Sequence, residues 1–108
     1  VSPLEIVNRR MQAFNEHNLE DFLALYAESI EIYTYPDVLV GRGKDHLRSL
    51  FEPMFNQKFV HADIHHQIAK DSFVISHETV SYEDGDTEYV SIWKVSNGLI
   101  QNVRFVRD

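Results

Sequence analysis

The last third of the chain, Asp71–Arg107, reads as three strands in a row and constrains everything before it. The strands are Ser72–Tyr82, Thr87–Ser96 and Leu99–Arg107. The joints are Glu83-Asp84-Gly85-Asp86 and Ser96-Asn97-Gly98. Asp-Gly and Asn-Gly between alternating apolar runs are strong hairpin signals, because these residues accept positive φ at little cost. An antiparallel meander with one apolar face needs cover, so the upstream chain is expected to pack on that face. On the first of these strands, alternation groups Phe73, Ile75 and His77 and directs His77 inward. Glu78 then falls on the opposite face, as a sheet-surface or dimer-contact residue. On the middle strand Tyr89, Ser91, Trp93 and Val95 share a face, with Trp93 suited to core packing or a pocket wall.

The chain before the meander begins with a helix. Ser2-Pro3-Leu4-Glu5 supplies a capping box and a proline at the first helical position. Leu4, Val7, Met11 and Phe14 follow at helical spacing, with Ile6, Arg10 and Ala13 on the flank. The helix should stop near His17. Asn18 caps a second, shorter helix whose apolar stripe is Leu19, Phe22, Leu23 and Tyr26. Ser29–Tyr35 changes to period two, with Ile30, Ile32 and Thr34 on one face. Pro36-Asp37 is a turn, Val38–Val40 a short strand and Gly41-Arg42-Gly43 a break. Lys44–Phe55 is a third helix that Pro53 should kink or end. Lys58–Ala69 is a long strand, with Val60, Ala62, Ile64 and Ile68 on one face. Helices first and an antiparallel meander last make the fold class α+β.

At 108 residues the chain suits a single domain with one core. A net charge of −7 without a basic run argues against nucleic acid or an anionic membrane as partner. There is no cysteine, hence no thiolate nucleophile and no cysteine-ligated zinc. His61 and His65 share a strand face, but four residues of strand separate them by about 13 Å, too far for one ion. His65 and His66 point to opposite faces, so no metal is expected, and no cofactor motif is present. Neither a signal-peptide pattern nor a span-length apolar run is read, so a cytoplasmic location is expected.

Four stretches carry a family likeness: Ile6-Val7-Asn8-Arg9, Asn15 to Glu28, Gly41-Arg42-Gly43 before the third helix, and Asn97-Gly98-Leu99-Ile100 before the last strand. Their order resembles the nuclear-transport-factor-2-like superfamily, and most closely its SnoaL-like and ketosteroid-isomerase-like branch. The resemblance implies one SnoaL-like domain over residues 1–108. It implies a cone in which the N-terminal helices pack on a strongly curved antiparallel or mixed sheet. A ligand pocket and a homodimer formed through the sheet are further expectations. Carried over residue by residue, the isomerase's Tyr falls on Arg10, its Asp base on Thr34 and its protonated Asp on Ser91. That enzyme's Asp base and Tyr/Asp oxyanion hole are a standard case of pKa tuning. Thr34 cannot be a carboxylate base and Ser91 cannot be a carboxylic acid, so isomerisation by that mechanism is rejected. The limonene-epoxide-hydrolase pattern fails as well, because Phe105 stands where its last-strand carboxylate would be.

The remaining candidates are His77 and Arg10 as catalytic groups. Imidazole titrates near neutral pH, and a guanidinium can pair with a ligand carboxylate or polarised carbonyl. Thr34, Ser91, Trp93, Phe14, Phe105 and Asp37 are the candidate ligand-binding residues, Asp37 from the pocket rim. Two functions follow. One is an apolar small-molecule site that either does acid–base chemistry of the isomerase or cyclase kind on a carbonyl compound or simply binds it. The other is a non-catalytic dimerisation domain whose cone is plugged by Phe14, Trp93 and Phe105.

Overall fold

Helix α1 (Pro3–Asn15) starts at the expected capping box. The Ser2 side chain accepts from the Glu5 backbone N–H, and the Glu5 carboxylate accepts from that of Ser2. The computed structural model describes residues 1–57 and 59–106. Helix α1 ends at Asn15 with Glu16 as its C-cap, and His17 beyond it takes a left-handed φ of 56° before Asn18 caps α2 (Leu19–Ala24). Strand β1 (Tyr26–Thr34) follows at once. Tyr26 therefore opens a strand rather than closing the second helical stripe, because it pairs with Ile100 on the last strand. Strand β2 (Val38–Arg42) returns antiparallel to β1.

Helix α3 (Lys44–Phe55) continues through Pro53. The proline sits in the final turn, where it removes a single intrahelical bond, and Phe55 beyond it is buried in the core. Strands β3 (His61–Lys70), β4 (Phe73–Tyr82), β5 (Gly85–Ser96) and β6 (Leu99–Val106) form the meander. Strand β5 starts two residues earlier than expected, which leaves only Glu83-Asp84 as its turn. Lys58 and Arg107, expected at strand ends, lie outside the described residues.

All six strands join one mixed sheet in the order β2-β1-β6-β5-β4-β3. The β1–β6 pair is parallel and the rest are antiparallel. With the N-terminal helices packed on this sheet, the fold is the expected α+β cone. Irregular pairing at Ile32/Tyr33, Ile64/His66 and Lys94/Val95 bends the strands. The irregularity in β3 also changes which side chains face the helices. Ala62 is buried, but beyond His65 the alternation slips, and Ile68 lies 66% exposed opposite Ile75. The expected single face of Val60, Ala62, Ile64 and Ile68 is therefore split.

Helix α1 is tied to β3 by side-chain bonds to backbone. Asn15 Nδ2 donates to the Ala62 carbonyl at 3.0 Å, and Asn15 Oδ1 accepts from the Ala62 N–H at 2.7 Å. Phe14, Phe22, Phe51 and Phe55, from all three helices, meet with ring centroids 4.9 to 6.4 Å apart. This aromatic cluster fills much of the interior between helices and sheet.

Candidate functional site

What the cluster leaves open is a cavity of about 170 Å³ between α1, α3 and the sheet. Its walls are apolar, with Phe14, Ile32, Leu50, Phe51, Val80 and Phe105 among them. Its two charged lining residues are Arg10 and Glu78.

Arg10 lies on the buried stripe of α1, one turn from Ile6, Val7 and Phe14. It is 3% exposed. Its guanidinium carbon stands 5.0 to 5.7 Å from the ring centroids of Phe14, Phe22, Phe51 and Trp93. Such ring faces attract a cation and hold it in place. Arg10 Nε donates to the Tyr26 hydroxyl at 2.9 Å, and Nη1 contacts the Met11 sulfur at 3.3 Å. Among the described residues Nη2 has no hydrogen bond, and no carboxylate lies within 4 Å of the group.

Glu78 projects from β4 into the same space and is 2% exposed. Its Oε1 accepts from the Ser91 hydroxyl at 3.4 Å, while Oε2 has no partner among the described residues. Burial pushes this carboxyl above the ordinary glutamate range, and the Arg10 charge and the Ser91 hydroxyl only partly oppose it. Burial likewise raises the Tyr26 phenol, so it stays neutral beside Arg10. A buried, under-bonded carboxyl facing a cavity, with a caged cation near it, is the arrangement proton transfer uses.

The candidate residues divide. Arg10, Phe14, Thr34 and Phe105 line the cavity, Thr34 and Phe105 as partners across the parallel β1–β6 pair. Ser91 is fully buried and bonds Glu78. Trp93 is fully buried beneath the Arg10 guanidinium and does not line the cavity. His77 is on the other side of the sheet, contrary to expectation. It pairs there with Glu88 at 2.6 Å, and the rings of His65 and His66 lie 5.0 and 6.1 Å away. The reason is pairing: Val74, Ser76 and Glu78 stand opposite Trp93, Ser91 and Tyr89, so these even positions of β4 face inward. His65 and His66 also share that outer side, because the slip in β3 falls between Ile64 and His66. Among the described residues no group of three His, Cys, Asp or Glu could hold a metal ion. Asp37 stays in the β1–β2 turn rather than at the rim. It accepts from Arg104 Nη2 at 3.3 Å, while Arg104 Nε donates to the Pro36 carbonyl.

Sequence reasoning missed Glu78, Tyr26 and the hydroxyl pair of Tyr82 and Tyr89, whose oxygens lie 3.0 Å apart at the cavity wall. Because His77 is outside, His77→Ala is expected to leave cavity binding unchanged and to alter stability by less than about 1 kcal/mol. Titration of one ligand into both proteins, with urea unfolding alongside, checks this.

The chain belongs to the SnoaL-like domain family, whose model matches residues 7–103. The fold is that of the nuclear-transport-factor-2-like superfamily. An uncharacterized cystatin fold protein from Novosphingobium aromaticivorans superposes with a TM-score of 0.89 at 19% identity, covering 99% of each chain. An NTF2-like protein of unknown function from Cytophaga hutchinsonii superposes with a TM-score of 0.83 at 13% identity, over 100% of this chain and 91% of that one. A computationally designed 17-OHP binder superposes with a TM-score of 0.86 at 16% identity, over 99% and 92%. No curated protein sequence matches the chain. No described helix is long and apolar enough to cross a membrane.

Proposed function

We propose that the cavity binds a small, largely apolar carbonyl compound and that Glu78 moves a proton on it while Arg10 holds the carbonyl oxygen. The observation that carries this reading is Glu78, a buried carboxyl with one oxygen unpartnered among the described residues, on the wall of a cavity shared with a guanidinium. In the step itself the Glu78 carboxylate takes a proton from the carbon next to the carbonyl. The C–H electron pair becomes the new C=C bond, and charge moves to the oxygen facing the Arg10 N–H groups. Return of the proton from Glu78 to another carbon completes an isomerisation, and no oxidant or reductant is needed. Burial that raises the carboxyl brings it closer to neutral pH, which suits a group that must both take and give a proton. The test is exchange of α-protons of small cyclic enones in heavy water, followed by NMR. Exchange faster than in buffer supports the reading; binding without any exchange overturns it.

The same reading includes a homodimer formed through the outer face of the sheet. Its support is an apolar stripe on that face. Ile75 and Ile92 pair across β4 and β5, flanked by Ile68 at 66% and Phe73 at 45% exposure. Light scattering should give a dimer mass that Ile75→Lys reduces to that of a monomer.

A further inference from the structure

We infer that the natural occupant is a neutral enone or ketone of about one ring, and that Phe51, supported by Phe14, sets this limit. The inference rests on the proposed proton-transfer reading of the cavity. Size comes first. The cavity measures about 170 Å³, close to the ~150 Å³ that accommodates benzene. It is well below the roughly 300 Å³ at which pockets for drug-sized ligands begin. A fused four-ring skeleton would leave most of its surface outside.

The walls that impose this size are held from behind. Phe51 packs 4.9 Å from Phe22 and edge-on to Phe14 at 6.4 Å, and Phe14 is edge-on to Phe55 at 5.6 Å. Close-packed rings of this kind have no empty space to swing into. Arg10, wedged among three of these rings, fixes the polar end of the cavity at the same depth.

Charge then selects among small molecules. Arg10 and Glu78 are the two ionisable groups of opposite sign on the cavity surface, and the other polar lining groups are hydroxyls of Thr34, Tyr82 and Tyr89. A ligand carboxylate drawn to Arg10 would also meet the Glu78 carboxyl on the same cavity wall. A neutral carbonyl meets the Arg10 donors without that repulsion and leaves Glu78 able to accept a proton.

The experiment compares cyclohex-2-enone, a fused bicyclic enone, a four-ring steroid enone and benzoate. Binding and α-proton exchange are measured by NMR on the wild type and on Phe51→Ala, with Phe51→Leu as the milder change should the alanine variant not fold. Cyclohex-2-enone is expected to bind the wild type at least about tenfold more tightly than the steroid enone or benzoate. Removing the Phe51 ring is expected to tighten the bicyclic enone by about tenfold relative to cyclohex-2-enone. Wild-type protein that prefers the steroid enone or benzoate overturns the inference, as does a Phe51 variant with unchanged ranking. Exchange of the steroid enone but not of cyclohex-2-enone also overturns it, while leaving proton transfer by Glu78 intact. Tight binding of cyclohex-2-enone without exchange does the reverse: the size and charge limits stand and the proton-transfer reading falls. If none of the four compounds binds, both fall.

Discussion

Glu78→Gln is expected to reduce the α-proton exchange of a bound cyclic enone by about 10²–10⁴-fold, the usual contribution of a positioned general base. Glutamine keeps the shape of the side chain and can still accept from Ser91, so binding of the enone should change little. The loss should therefore appear in kcat rather than in KM. Stability should move the other way, with a defined pH dependence. Burial is the main influence on this carboxyl and raises it in the folded state. Protonated Glu78 is thus the form the fold prefers. Its favourable contribution is complete below the ordinary glutamate range and is lost as pH rises through the raised folded value. Above that raised value the ionised carboxylate destabilises the fold, and the neutral amide does not. Glu78→Gln should therefore melt higher than the wild type near pH 7, with the advantage shrinking toward pH 4. Thermal melts across that range, paired with the exchange assay, check both halves. A variant that keeps its exchange rate excludes Glu78 as the proton carrier.

Glu78 also shows how far the sequence could be read. The strands of the meander and their turns were legible because Asn-Gly and Asp-Gly mark hairpins locally. The inward face of β5 was legible because Ser91, Trp93 and Val95 alternate with polar neighbours. On β4 apolar residues occupy both faces, Phe73 and Ile75 on one and Val74 and Val80 on the other, so alternation alone does not choose. The missing step is a pairing constraint. A hairpin loop with an even number of residues pairs odd positions with even ones. With Trp93 inward, Val74, Ser76 and Glu78 must follow, and His77 must face out. That signal was present in the turn and needed no structure. The slip in β3 that turns Ile68 outward and gathers His65 and His66 beside His77 has no such local marker. Arg10 was recognisable as a candidate by its helical position near Phe14. Its cage of four rings depends on residues from α2, α3 and β5 that only the assembled fold brings together.

Arg10→Met should have the largest combined effect on activity and stability. Methionine matches the length and apolar stem of arginine and can occupy the aromatic cage, so the change removes charge and donors more than volume. Under the proposed mechanism, loss of the guanidinium takes away the N–H groups that would face the developing oxyanion. The expected decrease in exchange is about 10²–10³-fold, as for removal of one oxyanion donor. The fold should lose about 1–3 kcal/mol, the usual cost of leaving a buried polar group less satisfied, since Glu78 loses a cation that offsets its burial. The Tyr26 hydroxyl also loses the donor 2.9 Å away. Arg10 is one of two influences that hold the Glu78 carboxyl down against burial. Without it the carboxyl should titrate higher, and whatever exchange remains should shift its pH profile upward. The decisive comparison is the double variant Arg10→Met with Glu78→Gln. If the two groups are electrostatically coupled through the cavity, Glu78→Gln raises stability at neutral pH more in the Arg10→Met background than in the wild type, since the amide needs no counter-charge. Simple addition of the two single effects on stability would mean instead that Arg10 is held by its aromatic cage and Tyr26 independently of Glu78. Urea unfolding of the four proteins at pH 7 separates these outcomes.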